Sequence, residues 1–273
     1  MAAWFARNFL KLALKDVARQ YEFPVKSGSG AVLTRMWARQ SRPLEEAAVE
    51  KLDFGQDDNV LEIGYGRGDG IAAAYNRIAQ GKGVVFGVER SDYMQDVVRN
   101  RFALEIAEDE RIHLDRALDL SHLPYPSDFF AGAFHVNAFY FWRQDRMHDI
   151  LWEMARILKP GAQLVCAVDP QHLQKMLKWA TLTESQCNVL RYIEHLEPAG
   201  FENIKVEYHP MEGRDIQLIT AEKSSRGQTD DPEEKMKTLE QDIKKFMLEE
   251  LIRQKARPGM MKEAKAEKTE EPS

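Results

Sequence analysis

The sequence predicts an α/β protein with a doubly wound, mostly parallel sheet, and three observations support this fold class. From Asn59 onward, short apolar runs alternate with helical periods, as in a parallel sheet covered by helices on both faces. Glycines mark several of the turns between these segments, including Gly161, Gly200 and Gly213. The overall composition, 44% hydrophobic and 30% charged in 273 residues, supports a sizeable core.

The individual elements follow in chain order from these patterns. The strand candidates are residues 60–63, 84–88, 112–114, 130–136 and 163–168. The helix candidates between them are residues 69–80, 92–108 and 144–158. Residues 201–208 and 215–222 are expected to form two closing strands.

Composition excludes several classes of protein. No apolar run approaches the ~20 residues that a membrane-spanning helix needs. A net charge of −6 argues against a dedicated nucleic-acid binder. Cys166 and Cys187 form no C-x-x-C pair, which argues against a disulfide framework and a thiolate zinc site and favours a reducing compartment. We therefore expect a cytoplasmic protein without a metal site.

Residues 1–53 are expected to form an N-terminal helical cap. Met1 to Tyr21 predict an amphipathic helix, because basic residues recur every four positions on one face: Arg7, Lys11, Lys15 and Arg19. Three interpretations stay open: a helix docked on the domain as a lid, a mitochondrial presequence, or a helix lying on a membrane surface. Residues 27–30 predict a flexible break, followed by helices at 31–40 and 44–53 with Pro43 in the first turn of the second.

Residues 54–222 are expected to form the main domain and residues 223–273 a charged tail. The tail is rich in charges of both signs, and residues 233–255 predict one helix in it. The apolar stripe of that helix could dock on the domain or pair with another chain to form an oligomer; it comprises Met236, Leu239, Ile243, Phe246 and Met247. Residues 262–273 are expected to be disordered.

The most informative segment is a glycine-rich turn at residues 60–70, where a strand ends in an acidic residue and a helix then begins. Its pattern is Glu62, then glycines at 64, 66 and 68. Such glycines allow a ligand to approach the main chain closely. A dinucleotide fingerprint would require its third glycine at position 69, and Asp69 instead places a negative charge where a phosphate would sit.

This E-x-G-x-G-x-G pattern resembles motif I of the class I methyltransferases that use S-adenosylmethionine. Further segments are similar to that family across residues 20–222: residues 87–91 (GVERS), 118–125 (LDLSHLPY), 136–142 (VNAFYFW) and 156–162 (RILKPGA). The resemblance implies a seven-stranded sheet. The sequence departs from the family pattern at Leu118, where a glycine is common, and at Ala131, where an aspartate is common.

The resemblance also implies a set of cofactor-binding residues. Glu62 would bind the cofactor ammonium, Glu89 the ribose hydroxyls and Asp119 the adenine amino group. Met94 would pack on the adenine, and Leu120 would offer its backbone N–H to the ring. The full expected set is Glu62, Gly64, Tyr65, Gly66, Gly68, Glu89, Arg90, Met94, Asp119, Leu120 and Asn137.

Residues for the methyl acceptor are harder to assign from the sequence. Tyr140, Phe141 and Trp142 follow the fourth strand directly, where they would either seal the core or line the acceptor site. The substrate candidates are Tyr140, Trp142 and Arg42, although a surface ion pair is the commoner role for such an arginine. His135 shares a strand face with Asn137, but a buried histidine bonded within the core is the commoner role there.

The resemblance predicts methyl transfer from S-adenosylmethionine to an unidentified acceptor, most readily a small molecule, with S-adenosylhomocysteine as product. A general base would be needed only if the acceptor's pKa requires one. One alternative is a catalytically weak subunit that binds the cofactor within a methyltransferase complex. A nicotinamide-dependent oxidoreductase is a second alternative, which Asp69 disfavours.

Overall fold

The computed structural model describes residues 2–211 and 213–225, without the side chains of residues 2–7, 9 and 10. The predicted tail helix at 233–255 and the predicted disorder at 262–273 lie outside these residues. Within them, no helix is both long enough and apolar enough to cross a membrane.

A single seven-stranded sheet organises the described residues, which confirms the predicted fold class. The strands are β1 (Val60–Ile63), β2 (Val85–Glu89), β3 (Ile112–Arg116), β4 (Phe130–Val136), β5 (Leu158–Val168), β6 (Phe201–Met211) and β7 (Arg214–Lys223). Their order is β3-β2-β1-β4-β5-β7-β6. The first five strands pair in parallel, and β7 pairs antiparallel with both β5 and β6. The strand order reverses between β1 and β4, where open α/β sheets bind their ligands.

Helices cover both faces of this sheet. They are α1 (Ala2–Glu22), α2 (Gly28–Lys51), α3 (Asp69–Ile78), α4 (Asp92–Arg101), α5 (Ala103–Ala107), α6 (Met147–Ile157), α7 (Pro170–Lys178), α8 (Glu184–Cys187) and α9 (Leu190–Ile193). Short 3-10 helices span Phe139–Phe141 and Gln144–Arg146. The prediction did not include the three helices between β5 and β6.

Two buried clusters fill the space between the sheet and its helices, because neighbouring residues of a strand point to opposite faces. Val60 of β1 packs with Leu44 of α2 and Ile71 of α3. Leu61, the next residue of β1, packs on the other face with Leu151 of α6. The central strands of the sheet are therefore buried on both sides, as parallel strands require.

The prediction of two helices in the cap is wrong, because α2 is continuous from Gly28 to Lys51 with Pro43 inside it. The predicted break is the start of this helix, where the Ser27 hydroxyl caps the first turn by accepting a hydrogen bond from the Gly30 N–H. Proline removes one helical hydrogen bond. Burial of Trp37 before Pro43 and of Leu44 after it holds the two halves in one helix.

Two predicted strand boundaries also move. β5 begins at Leu158, five residues before the predicted start, since Leu158 pairs with Phe130 of β4. β7 continues through Lys223, which the prediction assigned to the tail. The Lys223 ammonium is buried and donates to the Leu158 carbonyl at 2.7 Å, so this residue belongs to the sheet.

Candidate functional site

A cavity of about 330 Å³ lies at the carboxyl ends of β1, β2 and β4, beside the reversal of strand order. This volume falls within the ~300–1,000 Å³ that is usual for small-molecule sites. The C-terminal end of α1 and one face of α2 line the cavity on the side away from the strand ends. Strand ends and cap helices together therefore form its wall.

The glycine turn contributes part of that wall. Gly64 and Gly66 line the cavity with left-handed backbones, at φ of +76° and +49°. Gly68 is also left-handed, but it caps α3 and packs beneath the turn against Val98. Tyr65 does not line the cavity, because its ring is fully buried in the core under the turn. Of the four predicted loop residues, the structure thus brings Gly64 and Gly66 to the cavity.

Glu89 links the glycine turn to the end of β2 through hydrogen bonds. Its carboxylate accepts backbone hydrogen bonds from Gly66 at 3.2 Å, Arg90 at 2.8 Å and Ser91 at 2.9 Å. Burial raises the pKa of Glu89, and these hydrogen bonds oppose the rise. The carboxylate also lines the cavity, so it can contact a ligand while it holds the turn.

Two other predicted residues stand next to Glu89. Met94 is buried and lines the cavity from the first turns of α4. Arg90 also lines the cavity, and its guanidinium lies 3.4 Å from a Glu22 carboxylate oxygen and over the Phe23 ring. Arg90 therefore joins the cap to the end of β2.

Glu62 lies behind the cavity wall rather than in it. The side chain is only 1% exposed, and it packs where a side chain at position 70 would otherwise lie, which explains Gly70. Burial, followed by the neighbouring charges of Glu45 and Asp69, raises the pKa of Glu62 well above its usual range.

Asp119 and Leu120 lie in the cavity wall after β3. One Asp119 oxygen accepts from the backbone N–H of Ser121 at 2.9 Å and from its hydroxyl at 2.7 Å. These hydrogen bonds lower the pKa of Asp119. The other oxygen lies 3.4 Å from the guanidinium of Arg146. Asp119 therefore shapes its own turn and presents a charged group at the cavity.

Asn137 lies at the end of β4 with an unusual backbone. Its φ of +52° is left-handed, which is uncommon for a residue with a side chain. The side-chain amide donates to the Ser41 hydroxyl at 3.3 Å. Its Oδ1 atom is buried and accepts no hydrogen bond from the described part of the chain. Asn137 lines the cavity, so a ligand could supply the missing donor.

The three acceptor-site candidates have different positions. Trp142 lines the cavity, together with Phe141. Tyr140 does not, because it is fully buried and its hydroxyl lies 2.6 Å from that of Tyr21. Arg42 is exposed outside the cavity wall and pairs with Glu46 at 3.0 Å. The structure therefore gives Tyr140 and Arg42 no contact with the cavity.

His135 also lies outside the cavity, as the interpretation of a buried core histidine predicted. It is fully buried, and its Nε2 atom lies 3.0 Å from the Tyr192 hydroxyl. Burial lowers the pKa of His135 to about 3, so the ring is neutral at physiological pH.

Sequence reasoning missed the cap residues that line the cavity. Those of α2 include Thr34, Trp37, Ser41 and Glu45, which recur at spacings of three or four and so share one helical face. The recurrence of Thr34, Ser41 and Glu45 on one face of a helix was the signal that could have indicated a cavity wall there. Tyr21 of α1 also lines the cavity, with its ring 5.0 Å from that of Trp37 and 5.3 Å from that of Phe141.

The sheet order and the glycine turn define a Rossmann-like protein with a ligand site at the reversal of strand order. The family model described as "Methyltransferase domain" matches residues 60–161, which contain the glycine turn, β1 to β4 and α6. Residues 60–161 thus resemble a methyltransferase domain. No curated protein matches the chain.

Solved structures with the same fold share little sequence with this chain. The geranyl diphosphate C-methyltransferase of Streptomyces coelicolor A3(2), solved with its substrate, Mg²⁺ and S-adenosylhomocysteine, is 14% identical over 77% of this chain and 98% of its own, with a TM-score of 0.54. A structure from a Haloferax volcanii complex of a methyltransferase with the Trm112 activator is 18% identical over 70% of this chain and 93% of its own, with a TM-score of 0.55. The [4+2]-cyclase SpnF is 16% identical over 69% of this chain and 82% of its own, with a TM-score of 0.54. At these identities the similarity shows the fold alone.

Proposed function

We propose that this protein transfers the methyl group of S-adenosylmethionine to a small molecule bound in the cavity. The observation that carries the proposal is the cover formed by α1 and α2, which contribute Tyr21, Trp37 and Ser41 to a cavity shared with the strand ends. A site covered in this way suits a small acceptor better than a folded protein or a nucleic acid. Aromatic walls also exclude water, which would otherwise compete as an acceptor.

The residues present fit the cofactor. A side chain at Gly66 would enter open space, so the backbone there leaves room for a ligand to lie against it. The Glu89 carboxylate keeps acceptor capacity beyond its three backbone hydrogen bonds, since an ionised carboxylate offers about four lone-pair sites. Glu89 would hold the ribose hydroxyls, Met94 and Leu120 the adenine ring, and Asp119 the adenine amino group.

The chain's own contribution to the reaction is positioning. The sulfonium of the bound cofactor supplies an activated methyl group. The protein must hold the acceptor in line with it, and such alignment can recover roughly 7–11 kcal/mol of the barrier. Trp142, Phe141 and Tyr21 would fix the orientation of the acceptor, and Asn137 Oδ1 would accept a hydrogen bond from the cofactor. No histidine lines the cavity in the described residues, which favours an acceptor that needs no imidazole base.

Labelled S-adenosylmethionine tests this function directly. The purified protein is incubated with the small-molecule fraction of a cell extract and, separately, with its protein and nucleic-acid fractions. We expect label in one or a few small molecules with the wild-type protein and none with Gly66→Val, whose side chain would enter the cofactor space. Label only in the protein or nucleic-acid fraction would contradict the proposed acceptor class.

A cofactor-binding subunit without turnover is the second candidate. The Haloferax volcanii methyltransferase that shares this fold was solved with an activator protein, and this observation favours a partner-dependent activity. Tight binding of S-adenosylhomocysteine with no labelled product in any fraction would support this candidate over an independent enzyme.

A further inference from the structure

We propose that Glu45 of α2 and Glu62 of β1 act as one pair that binds the ammonium group of the cofactor. This assignment rests on the proposed function, because the ligand is the methionyl end of S-adenosylmethionine. It gives the cap helix a direct part in binding the cofactor, in a region outside the matched domain at residues 60–161.

The two carboxylates meet at the N-terminus of α3. Glu62 accepts a hydrogen bond from the backbone N–H of Ile71, and Glu45 accepts one from the backbone N–H of Gly70. Adjacent peptide groups therefore hold the two acids, although the acids come from different elements. Glu45 lines the cavity, whereas Glu62 is 1% exposed behind it. The pair thus extends from the cavity wall into the core.

Among the described residues, each carboxylate still has one oxygen without a partner. The Oε2 atoms of Glu45 and of Glu62 are both buried and accept no hydrogen bond within residues 2–211 and 213–225. Buried acceptors without donors are unfavourable, and native proteins rarely keep them. One of these atoms belongs to Glu45 in the cavity wall and the other to Glu62 behind it, so a donor that enters from the cavity at Glu45 would complete the site.

The charges around the pair decide which donor that is. Glu45 faces Asp69, Arg101 and Glu46, and it acts in turn on Arg42. Glu62 faces Glu45, Asp69 and Glu89. Arg101 is 2.8 Å from Asp69 and is already engaged there, and Arg42 is paired with Glu46 on the surface. The charged groups around the pair are therefore mainly acidic, and a positively charged donor is favoured at this site.

Burial and the neighbouring acids raise the pKa of both carboxyl groups. We therefore expect the empty pair to keep a proton near neutral pH, because the charge of Glu45 disfavours ionisation of Glu62. A bound ammonium group supplies positive charge and three N–H donors, so it favours the fully ionised pair. Binding must then release a proton to solvent, and the affinity must rise with pH while the ligand amine stays protonated, up to about pH 8.

Calorimetry on the full chain measures this linkage. S-adenosylhomocysteine is titrated between about pH 6 and pH 7.5, in two buffers with different ionisation enthalpies, so that released protons can be counted. The comparison ligand is 5′-methylthioadenosine, which lacks the amino acid portion. For the wild-type protein we expect release of about one proton with the first ligand and none with the second.

Two variants make the test specific. Glu45→Gln should abolish the proton release and weaken S-adenosylhomocysteine roughly tenfold or more at pH ~7.5, the scale of a lost charge-assisted hydrogen bond. Its affinity for 5′-methylthioadenosine should be unchanged, which also shows that the variant is folded. Glu46→Gln is the matched control, because Glu46 is the next residue of α2 and is exposed. It should behave as the wild-type protein does.

The outcomes separate this inference from the proposed function. If S-adenosylhomocysteine binds without proton release, and Glu45→Gln matches Glu46→Gln, the paired-acid inference is wrong while the methyltransferase proposal stands. If the wild-type protein binds neither ligand, both are overturned.

Discussion

Gly66 is the residue whose backbone most directly links the sequence motif to the cavity. Its φ of +49° lies in the left-handed region, and an added Cβ would meet no atom within 4 Å. The backbone conformation disfavours any side chain, but packing within the protein does not. The open space next to Gly66 is part of the cavity. A ligand bound there, and not a protein neighbour, would therefore limit the size of the side chain at position 66.

Gly66→Ala should therefore lose cofactor affinity beyond what its loss of stability explains. Gly161→Ala is the matched control, because Gly161 is also left-handed, at φ +79°, with open space around it but outside the cavity wall. Both variants should lose about 1–2 kcal/mol of unfolding free energy. Only Gly66→Ala should weaken S-adenosylhomocysteine in calorimetry. Equal affinities in the two variants would show that the ligand does not approach Gly66.

His135 gives a pH-dependent prediction at the same scale. Its folded-state pKa of about 3 lies below the ordinary value near 6.5. The unfolded chain therefore binds a proton that the folded chain does not, and stability falls as the pH drops from about 6.5 toward 3. At pH 5 the loss attributable to His135 should be about 2 kcal/mol relative to pH 7.

Urea unfolding at pH 7 and pH 5 measures this contribution, with His135→Gln as the comparison. The variant should be less stable than the wild-type protein at pH 7, because the Tyr192 hydroxyl loses its imidazole partner. The gap between the two proteins should narrow at pH 5, since glutamine does not titrate. A constant gap would show that folding does not lower the pKa of His135.

Motif spacing identified several residues of the cavity wall but not the direction of every side chain. Four of the predicted residues lie at or just beyond the carboxyl ends of strands, and that placement follows from the strand pattern. They are Gly66, Glu89, Met94 and Asn137. Tyr65 is next to Gly66 but points into the core under the turn. Backbone dihedral angles decide this difference, and the sequence motif does not specify them.

At the scale of elements, the C-terminal end of α1 is anchored by Tyr21. Its hydroxyl lies 2.6 Å from that of Tyr140 and 2.8 Å from Nε2 of His172. Burial lowers the pKa of His172, so the imidazole is neutral near pH 7 and can accept a hydrogen bond. Through these contacts α1 forms part of the cavity wall, as the lid interpretation of this helix predicted.

Tyr21→Phe should destabilise the protein by about 1–3 kcal/mol, because it leaves two buried polar groups without their partner. The phenylalanine ring keeps the aromatic contacts with Trp37 and Phe141, so the cavity wall should remain. Thermal unfolding measures the change. Tyr208→Phe is the control, because the Tyr208 side chain is 65% exposed on β6. Equal melting temperatures in the two variants would contradict the anchoring role of Tyr21.

The cap was the part of the fold least predictable from sequence. Tyr21 and Tyr140 are 119 residues apart, so no local pattern connects them. For α2, local rules gave the wrong boundary, since glycines and a proline normally interrupt a helix. Burial on both sides of Pro43 and the Ser27 cap outweigh those preferences. The sheet was more predictable, because short apolar runs between helical periods identify parallel strands directly.

At the scale of the whole molecule, the cavity uses a limited part of the chain. Its lining residues fall between Gln20 and Ile150. The strands after this region complete the sheet: β7 lies between β5 and β6, and the Ser224 N–H donates to the Gly200 carbonyl at 2.9 Å. The boundary between sheet and tail is therefore best placed after Ser225, beyond these contacts.

Deletion of residues 226–273 should leave the affinity for S-adenosylhomocysteine and the melting temperature unchanged, because every described cavity contact lies before that boundary. Calorimetry and thermal unfolding measure both quantities, and light scattering of the two proteins measures their mass in solution. Fewer copies per particle after truncation, calculated from the mass of each chain, would support the predicted self-association of the apolar stripe at Met236–Met247. Deletion from Arg214 onward is the contrasting variant: it removes β7, separates β6 from β5 and should prevent folding. A truncated protein that stays folded but no longer binds the ligand would show that residues after Ser225 complete the site.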